Sequence, residues 1–223
     1  MEFEVRLTET YLNKVKYEGG IIMASAILTV CFVISLFYWE QNPAFTQLSA
    51  NSGDIFQKHQ YWKLISTLFV HADIEHLLSN SFMLFFLSYF VHSFFGVITI
   101  LVLSIIGGSL TNFLVLLKLP YESSLVGISG VIYILWGFWL MLYLCLNKKI
   151  TVTRRLINII GIFFILLIPT SYNPQTSYMA HYLGLLIGLL SGFIYYHLHR
   201  DKFRLYEKYE VRPIPDLLKD ELI

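Results

Sequence analysis

Ser129 lies in the run Gly127-Ile128-Ser129-Gly130, just inside an apolar segment, and two other apolar segments carry His76, Asn80 and His181. A serine hydroxyl is a poor nucleophile until a base takes its proton, and histidine is the common base near neutral pH. A side-chain amide and a second imidazole are donors suited to a developing oxyanion, each worth roughly 3 kcal/mol of barrier. The set suits acyl transfer. Taken singly, each residue has a plainer explanation: a membrane serine bonds the carbonyl of the preceding turn, and a membrane histidine bridges helices. Polar groups inside a bilayer are costly, however, and four at one depth argue for a site.

The elements that must position them are membrane spans. The chain has 223 residues, 56% hydrophobic and 14% charged, with a mean hydropathy of +0.62. Its bulk solvent is lipid, which excludes a soluble domain. With a net charge of +1, no nucleic-acid partner is expected. Six apolar segments, Ile21–Tyr38, Leu77–Phe95, Val97–Leu117, Leu125–Leu146, Leu156–Ile168 and Tyr178–Leu198, predict an all-α polytopic membrane protein. The second is expected to begin before Leu77, with Asp73, Glu75 and His76 at its interfacial end. The first is too long for a signal-peptide core and reads as a retained span. The fifth reaches only ~20 Å before Pro169, so it must extend through polar flanks or thin the bilayer.

Thirteen of the 16 Lys and Arg residues fall on the inner side if the N-terminus is inside, leaving Lys58, Lys63 and Lys118 outside. Both termini are therefore expected to be cytoplasmic. The reading is a multi-pass protein of the plasma (inner) membrane of a bacterium. It divides into a cytoplasmic segment 1–20, a six-helix domain 21–199 and a cytoplasmic tail 200–223. That tail is expected to be a membrane-surface helix or disordered, and the long outer loop Trp39–Tyr61 to lie in the interface. Cys31 and Cys145 read as packing residues, with neither disulfide nor metal.

Spans two, four and six run from outside to inside, so His76, Asn80, Ser129 and His181 share one layer, Ser129 about 6 Å below the start of its apolar run. His181, Gly184 and Gly188 lie at i, i+3 and i+7, which gives the histidine a small-residue face for close helix approach. Gly127 and Gly130 bracket Ser129, and Tyr133 at i+4 is placed to stack on or orient the His181 ring. With no buried carboxylate to support the base, the arrangement is a Ser/His dyad. The Ser129 amide, at a helix N-terminus, supplies a third oxyanion donor. His71 is expected to brace the outer loop.

At these residues the chain resembles the rhomboid intramembrane serine proteases, over about Ile21 to His199. Three motifs carry the resemblance: His71-Ala-Asp-Ile-Glu-His76-Leu-Leu-Ser-Asn80, Gly127-Ile128-Ser129-Gly130 with Tyr133, and Ala180-His181-Tyr-Leu-Gly184-Leu-Leu-Ile-Gly188. It implies a six-transmembrane-helix bundle with a water-filled cavity opening outward, Ser129 as nucleophile, His181 as general base, and His76, Asn80 and the Ser129 amide around the oxyanion. It also implies transmembrane protein substrates cut near the outer end of a span, no cofactor, and the fifth span as a lateral gate. Three departures stand out. Trp62-Lys63 replaces the family's Trp-Arg, losing the guanidinium fork and predicting a weaker brace. His92 sits where many relatives have glutamate. Asp73 and Glu75 are expected to raise the pKa of His71 or His76. The rivals are an inactive rhomboid-like protein that binds membrane clients, against which the retention of Ser129 and His181 counts, and a small transporter, for which paired charges are missing. Zinc and aspartyl intramembrane proteases fail for want of a His-Glu-x-x-His motif or an intramembrane aspartate pair.

Overall fold

The structure is a computed structural model that describes residues 3–14, 16–121, 123–167 and 177–213. It forms two compact units. One holds the described residues of Lys16–Met141 and Ser171–Phe193, the other those of Met1–Val15, Leu142–Thr170 and Ile194–Ile223.

In the first unit, helix α1 (Gly20–Trp39) is an uncharged, mainly apolar run that buries only Gly20, Ala24, Cys31 and Ser35, so a narrow small-residue stripe faces protein. The chain then makes three short helices, α2 (Pro43–Thr46), α3 (Ser52–Phe56) and α4 (Lys63–Ser66). Asn42 and Asn51 cap the first two, accepting from the Ala44 and Asp54 amides at 3.0 and 2.8 Å. The loop Trp39–Tyr61, which the sequence expects to lie in the interface, is thus folded into short helices. Ala50, Ile55 and Leu64 bury themselves against Val115, Leu116 and Leu125. Ser52 Oγ donates to the Leu116 carbonyl at 2.6 Å and Asn112 Nδ2 to that of Leu64 at 2.9 Å.

Lys63 has a defined partner. Its ammonium is buried and lies 2.7 Å from Asp54, which also holds Lys58 at 3.0 Å. Burial works against the Asp54 charge, but the bonds from Lys63 and Lys58 outweigh it and hold the carboxyl below its usual range. The brace at this position is therefore a buried ion pair.

Helix α5 (Ile74–Phe95) begins three residues before Leu77, and Gly96, at φ +87°, turns the chain into the next span. That span is α6 (Val97–Val102), a π-helical turn (Leu103–Gly107) and α7 (Gly108–Leu116), where a plain helix was predicted. Helix α8 (Ser129–Leu146) starts four residues later than the predicted Leu125. It is the most enclosed span, with 61% of its apolar window buried. Helix α9 (Val152–Leu167) corresponds to the fifth apolar segment, whose last residue, Ile168, lies outside the described residues, and α10 (Tyr178–Leu198) follows. Among the described residues, five helices are long and apolar enough to cross a membrane: α1, α5, the α6–α7 span, α8 and α10. The mostly helical architecture agrees with the polytopic bundle read from the sequence.

The second unit contains the one departure from an all-α fold among the described residues. Strand β1 (Phe3–Glu9) pairs antiparallel with β2 (Lys208–Pro213), just after a short helix α11 (Arg200–Arg204). The tail is therefore neither a surface helix throughout nor disordered over 200–213. Tyr11, 1% exposed, plugs the base of this ribbon, edge-on to Phe203 and Tyr206 at 4.7 and 5.1 Å. Lys148, after α8, pairs with Glu207 at 2.6 Å and ties the approach to β2 to the helix ends.

Candidate active site

Segment 125–128 delivers Ser129. It is extended and pinned on both sides: Leu125 and Ala50 exchange backbone hydrogen bonds at 2.7 and 3.3 Å, and the Gly127 amide donates to the Thr67 carbonyl at 3.1 Å. Thr67 Oγ1 also donates to the Leu125 carbonyl. Gly127 has φ +110°, a conformation that side chains resist, and a Cβ there would stand 2.8 Å from His76 Cε1. The glycine thus permits both the turn and the close approach of the His76 ring. Ser129 is the first residue of α8, so its amide has no acceptor within the helix and is available to an anion. Its side chain is half-buried.

His76 and Asn80 stand on one face of α5, four residues apart. Asp73 caps that helix, accepting from the His76 amide at 2.7 Å, and so fixes the turn that carries His76. The Asn80 side chain is buried, 8% exposed, and its Nδ2 meets no acceptor among the described residues. A buried amide donor left open is costly, which marks it for a partner outside the protein's own bonding.

His181 comes from the first turn of α10. Its helix meets α8 backbone to backbone: a Cβ at Gly184 would collide with the Gly130 carbonyl oxygen, and one at Gly188 with that of Ile134. A Cβ at Gly130 would lie 3.9 Å from that of Ala180, so the residues next to Ser129 and His181 are themselves in contact range. Tyr133, one turn below Ser129, stacks on His181 with ring centroids 4.3 Å apart and planes at 13°. The stacking of Tyr133 on His181 anticipated from the sequence is present. Ser129 and His181 share no hydrogen bond with each other among the described residues.

His71 is fully buried outside the span. Its amide donates to Ser35 Oγ at 3.1 Å, its Nδ1 lies 3.2 Å from the same oxygen, and Trp39 Nε1 donates to its carbonyl at 2.8 Å. Its ring lies edge-on to His76 at 5.2 Å. This is the bracing role expected for it, tying α1 to the start of α5. Its pKa moves opposite to the sequence expectation: burial, aided by the nearby His76, pushes it down to about 4, and Asp73 opposes this only weakly. His92, 16 positions beyond His76 on α5, lies about 24 Å along the helix and away from this layer.

Sequence reasoning missed Asp73 as a cap, Thr67 and Ala50 as the clamps on the serine turn, and Ser35 as the partner of His71. Only Asp73 left a local signal, an aspartate directly before a helical run.

A family model of the Rhomboid domain matches residues 58–198. Among relatives, YdcA of Bacillus subtilis, named as a rhomboid protease, is 27% identical over 189 residues, 83% of this chain and 92% of its own. RHOMBOID-like protein 2 of Arabidopsis thaliana is 32% identical over 145 residues, 63% of this chain and 44% of its own. Rhomboid protease GlpG of Haemophilus influenzae is 26% identical over 148 residues, 62% of this chain and 71% of its own. The family match and the protease-named relatives support a membrane-embedded hydrolase.

Proposed function

Because the chain belongs to the rhomboid family, we propose that it is a serine-type intramembrane endopeptidase that cuts transmembrane segments of other proteins near their outer ends. The observation that carries this reading is the stacking of Tyr133 on His181 at 4.3 Å, one turn below Ser129 on α8. It holds the imidazole beside the helix that presents the hydroxyl, with no supporting carboxylate among the described residues.

In this mechanism Ser129 Oγ attacks the scissile carbonyl carbon while a His181 ring nitrogen takes its proton. The oxyanion forms against the Ser129 amide, Asn80 Nδ2 and the His76 ring. Collapse of the tetrahedral species breaks the C–N bond, and His181 gives its proton to the leaving amine. Water, deprotonated by His181, then attacks the acyl-serine and releases the second product. The α8–α10 glycine seam supports this reading because backbone contacts leave no side-chain freedom between the two helices.

A fluorophosphonate probe tests the proposal. Purified protein is expected to label, Ser129→Ala to lose all labelling, and His181→Ala to lose most of it. Labelling that persists in Ser129→Ala refutes the assigned nucleophile.

The topology belongs to the same proposal. Pairing of β1 with β2 requires both strands on one side of the membrane, hence an even number of crossings between them. Five helices among the described residues qualify by length and composition, so α9, at 16 residues, is read as the sixth crossing. Its ~24 Å falls short of the ~30 Å hydrocarbon core and asks for thinning or polar flanks. With the positive-inside bias, both strands are cytoplasmic and the Ser129 layer faces outward. The gating role read for the fifth segment falls partly on residues 168–176, outside the described residues; it is tested by a disulfide between the fifth and second spans, which is expected to block cleavage.

A further inference from the structure

The terminal ribbon has a two-faced chemistry that neither the fold nor the proposed catalysis uses. Its register sets Phe3 opposite Pro213, Val5 opposite Val211 and Leu7 opposite Tyr209, so these six side chains share one face. Glu4 opposite Arg212 and Arg6 opposite Glu210 make the other face a pair of matched charges. The apolar face is open: Phe3, Val5, Tyr209 and Val211 are 58 to 63% exposed. A two-stranded ribbon is marginal by itself in water, and an uncovered apolar face makes it more so.

We infer that this face docks on the cytoplasmic leaflet of the bilayer, as an amphipathic β-ribbon lying in the headgroup region with its aromatic and aliphatic side chains toward the acyl chains. Three observations select a lipid surface over another occupant. The ribbon is rooted at the membrane: ten residues separate β1 from the span α1, nine separate α10 from β2, and Tyr11 and the Lys148–Glu207 pair fasten its base to α11 and the end of α8. Over its whole sequence the unit is cationic, with twelve Lys and Arg against nine Asp and Glu, a net of +3 that suits anionic headgroups. The face itself mixes tyrosine and phenylalanine with valine and leucine, the composition of interfacial segments, and keeps its charges on the opposite side.

The test uses full-length protein in vesicles of phosphatidylcholine with phosphatidylglycerol, carrying an environment-sensitive fluorophore on Val211→Cys or Glu210→Cys, with Cys31 and Cys145 replaced by alanine. The expected result is blue-shifted emission at position 211 that is quenched by shallow spin-labelled lipids, independent of protein density, and water-like emission at position 210. Loss of the phosphatidylglycerol is expected to weaken the quenching. Equal, water-like spectra at both positions overturn the inference. So does a blue shift at 211 that lipid quenchers leave untouched and that fades as the protein is diluted in the bilayer, which assigns the face to a second copy. The unlabelled, native-cysteine protein gives an independent reading. Trypsin is expected to cut after Arg6 and Lys208 several-fold more slowly in anionic vesicles than in phosphatidylcholine alone, and equal rates count against docking.

Discussion

Removing the carboxylate at Asp54 is expected to cost far more than removing either lysine it holds. Lys63 Nζ lies 2.7 Å from Asp54 with side chains 9% and 6% exposed, whereas Lys58, at 3.0 Å, is 63% exposed. At an effective dielectric of about 20, the closer pair attracts by about 6 kcal/mol, most of which offsets the cost of taking both charges out of water. Asp54→Asn leaves a buried ammonium with no counter-charge, a loss of about 3–5 kcal/mol. Lys58→Ala removes an exposed partner, worth about 0.2–1 kcal/mol. Lys63→Met falls between them, because Asp54 keeps Lys58. The double variant Asp54→Asn/Lys63→Met removes both buried charges and is expected to be more stable than Asp54→Asn alone, a coupling of about 2 kcal/mol or more. The assay is equilibrium unfolding of the parent and these four variants in mixed micelles with increasing SDS. If the double variant is no more stable than Asp54→Asn, or if Lys58→Ala costs as much, the buried pair is not the brace of the outer loop.

Tyr133→Ala removes a stacked ring worth about 0.5–1.5 kcal/mol, so it is expected to lower kcat/KM by up to about tenfold, while Tyr133→Phe keeps the ring and stays within about threefold. Gly188→Ala puts a Cβ into the Ile134 carbonyl and is expected to destabilise by about 1–3 kcal/mol, whereas a Cβ at Gly161 meets open space and Gly161→Ala is expected to be neutral or stabilising; thermal melts in detergent compare the two. His71 titrates near 4 when folded and near about 6.5 when unfolded, so its neutral form contributes stability that is full above about 6.5 and is lost as the pH falls toward 4. Unfolding midpoints measured across that window are expected to fall less steeply in His71→Gln than in the parent; equal slopes reject the assignment.

The catalytic candidates were legible because they are exceptions. In helices solvated by lipid a polar side chain must be accounted for, and span direction alone put His76, Asn80, Ser129 and His181 in one layer. The stacking of Tyr133 on His181 followed from helical period. What escaped was held by long-range or purely local backbone bonding. The Thr67 and Ala50 clamps use carbonyls and amides that every residue owns. The Asp54–Lys63 pair depends on how a nine-residue stretch of loop folds back. The π turn over Leu103–Gly107 has no residue pattern distinct from the helix around it. Strands β1 and β2 are short, mostly polar and far apart, so nothing near either one announces a partner.

That separation orders the birth of the molecule. Thr8 donates to the carbonyl of Lys208 across 200 positions, which makes the ribbon about as non-local a contact as the chain allows. It cannot close until every intervening span has been threaded and Lys208–Pro213 has left the ribosome. Until then β1 waits as an unpaired edge, the state most prone to pairing with the wrong neighbour. Closure therefore comes last: under the proposed topology, a chain that threads an odd number of spans keeps its two strands on opposite sides and unpaired.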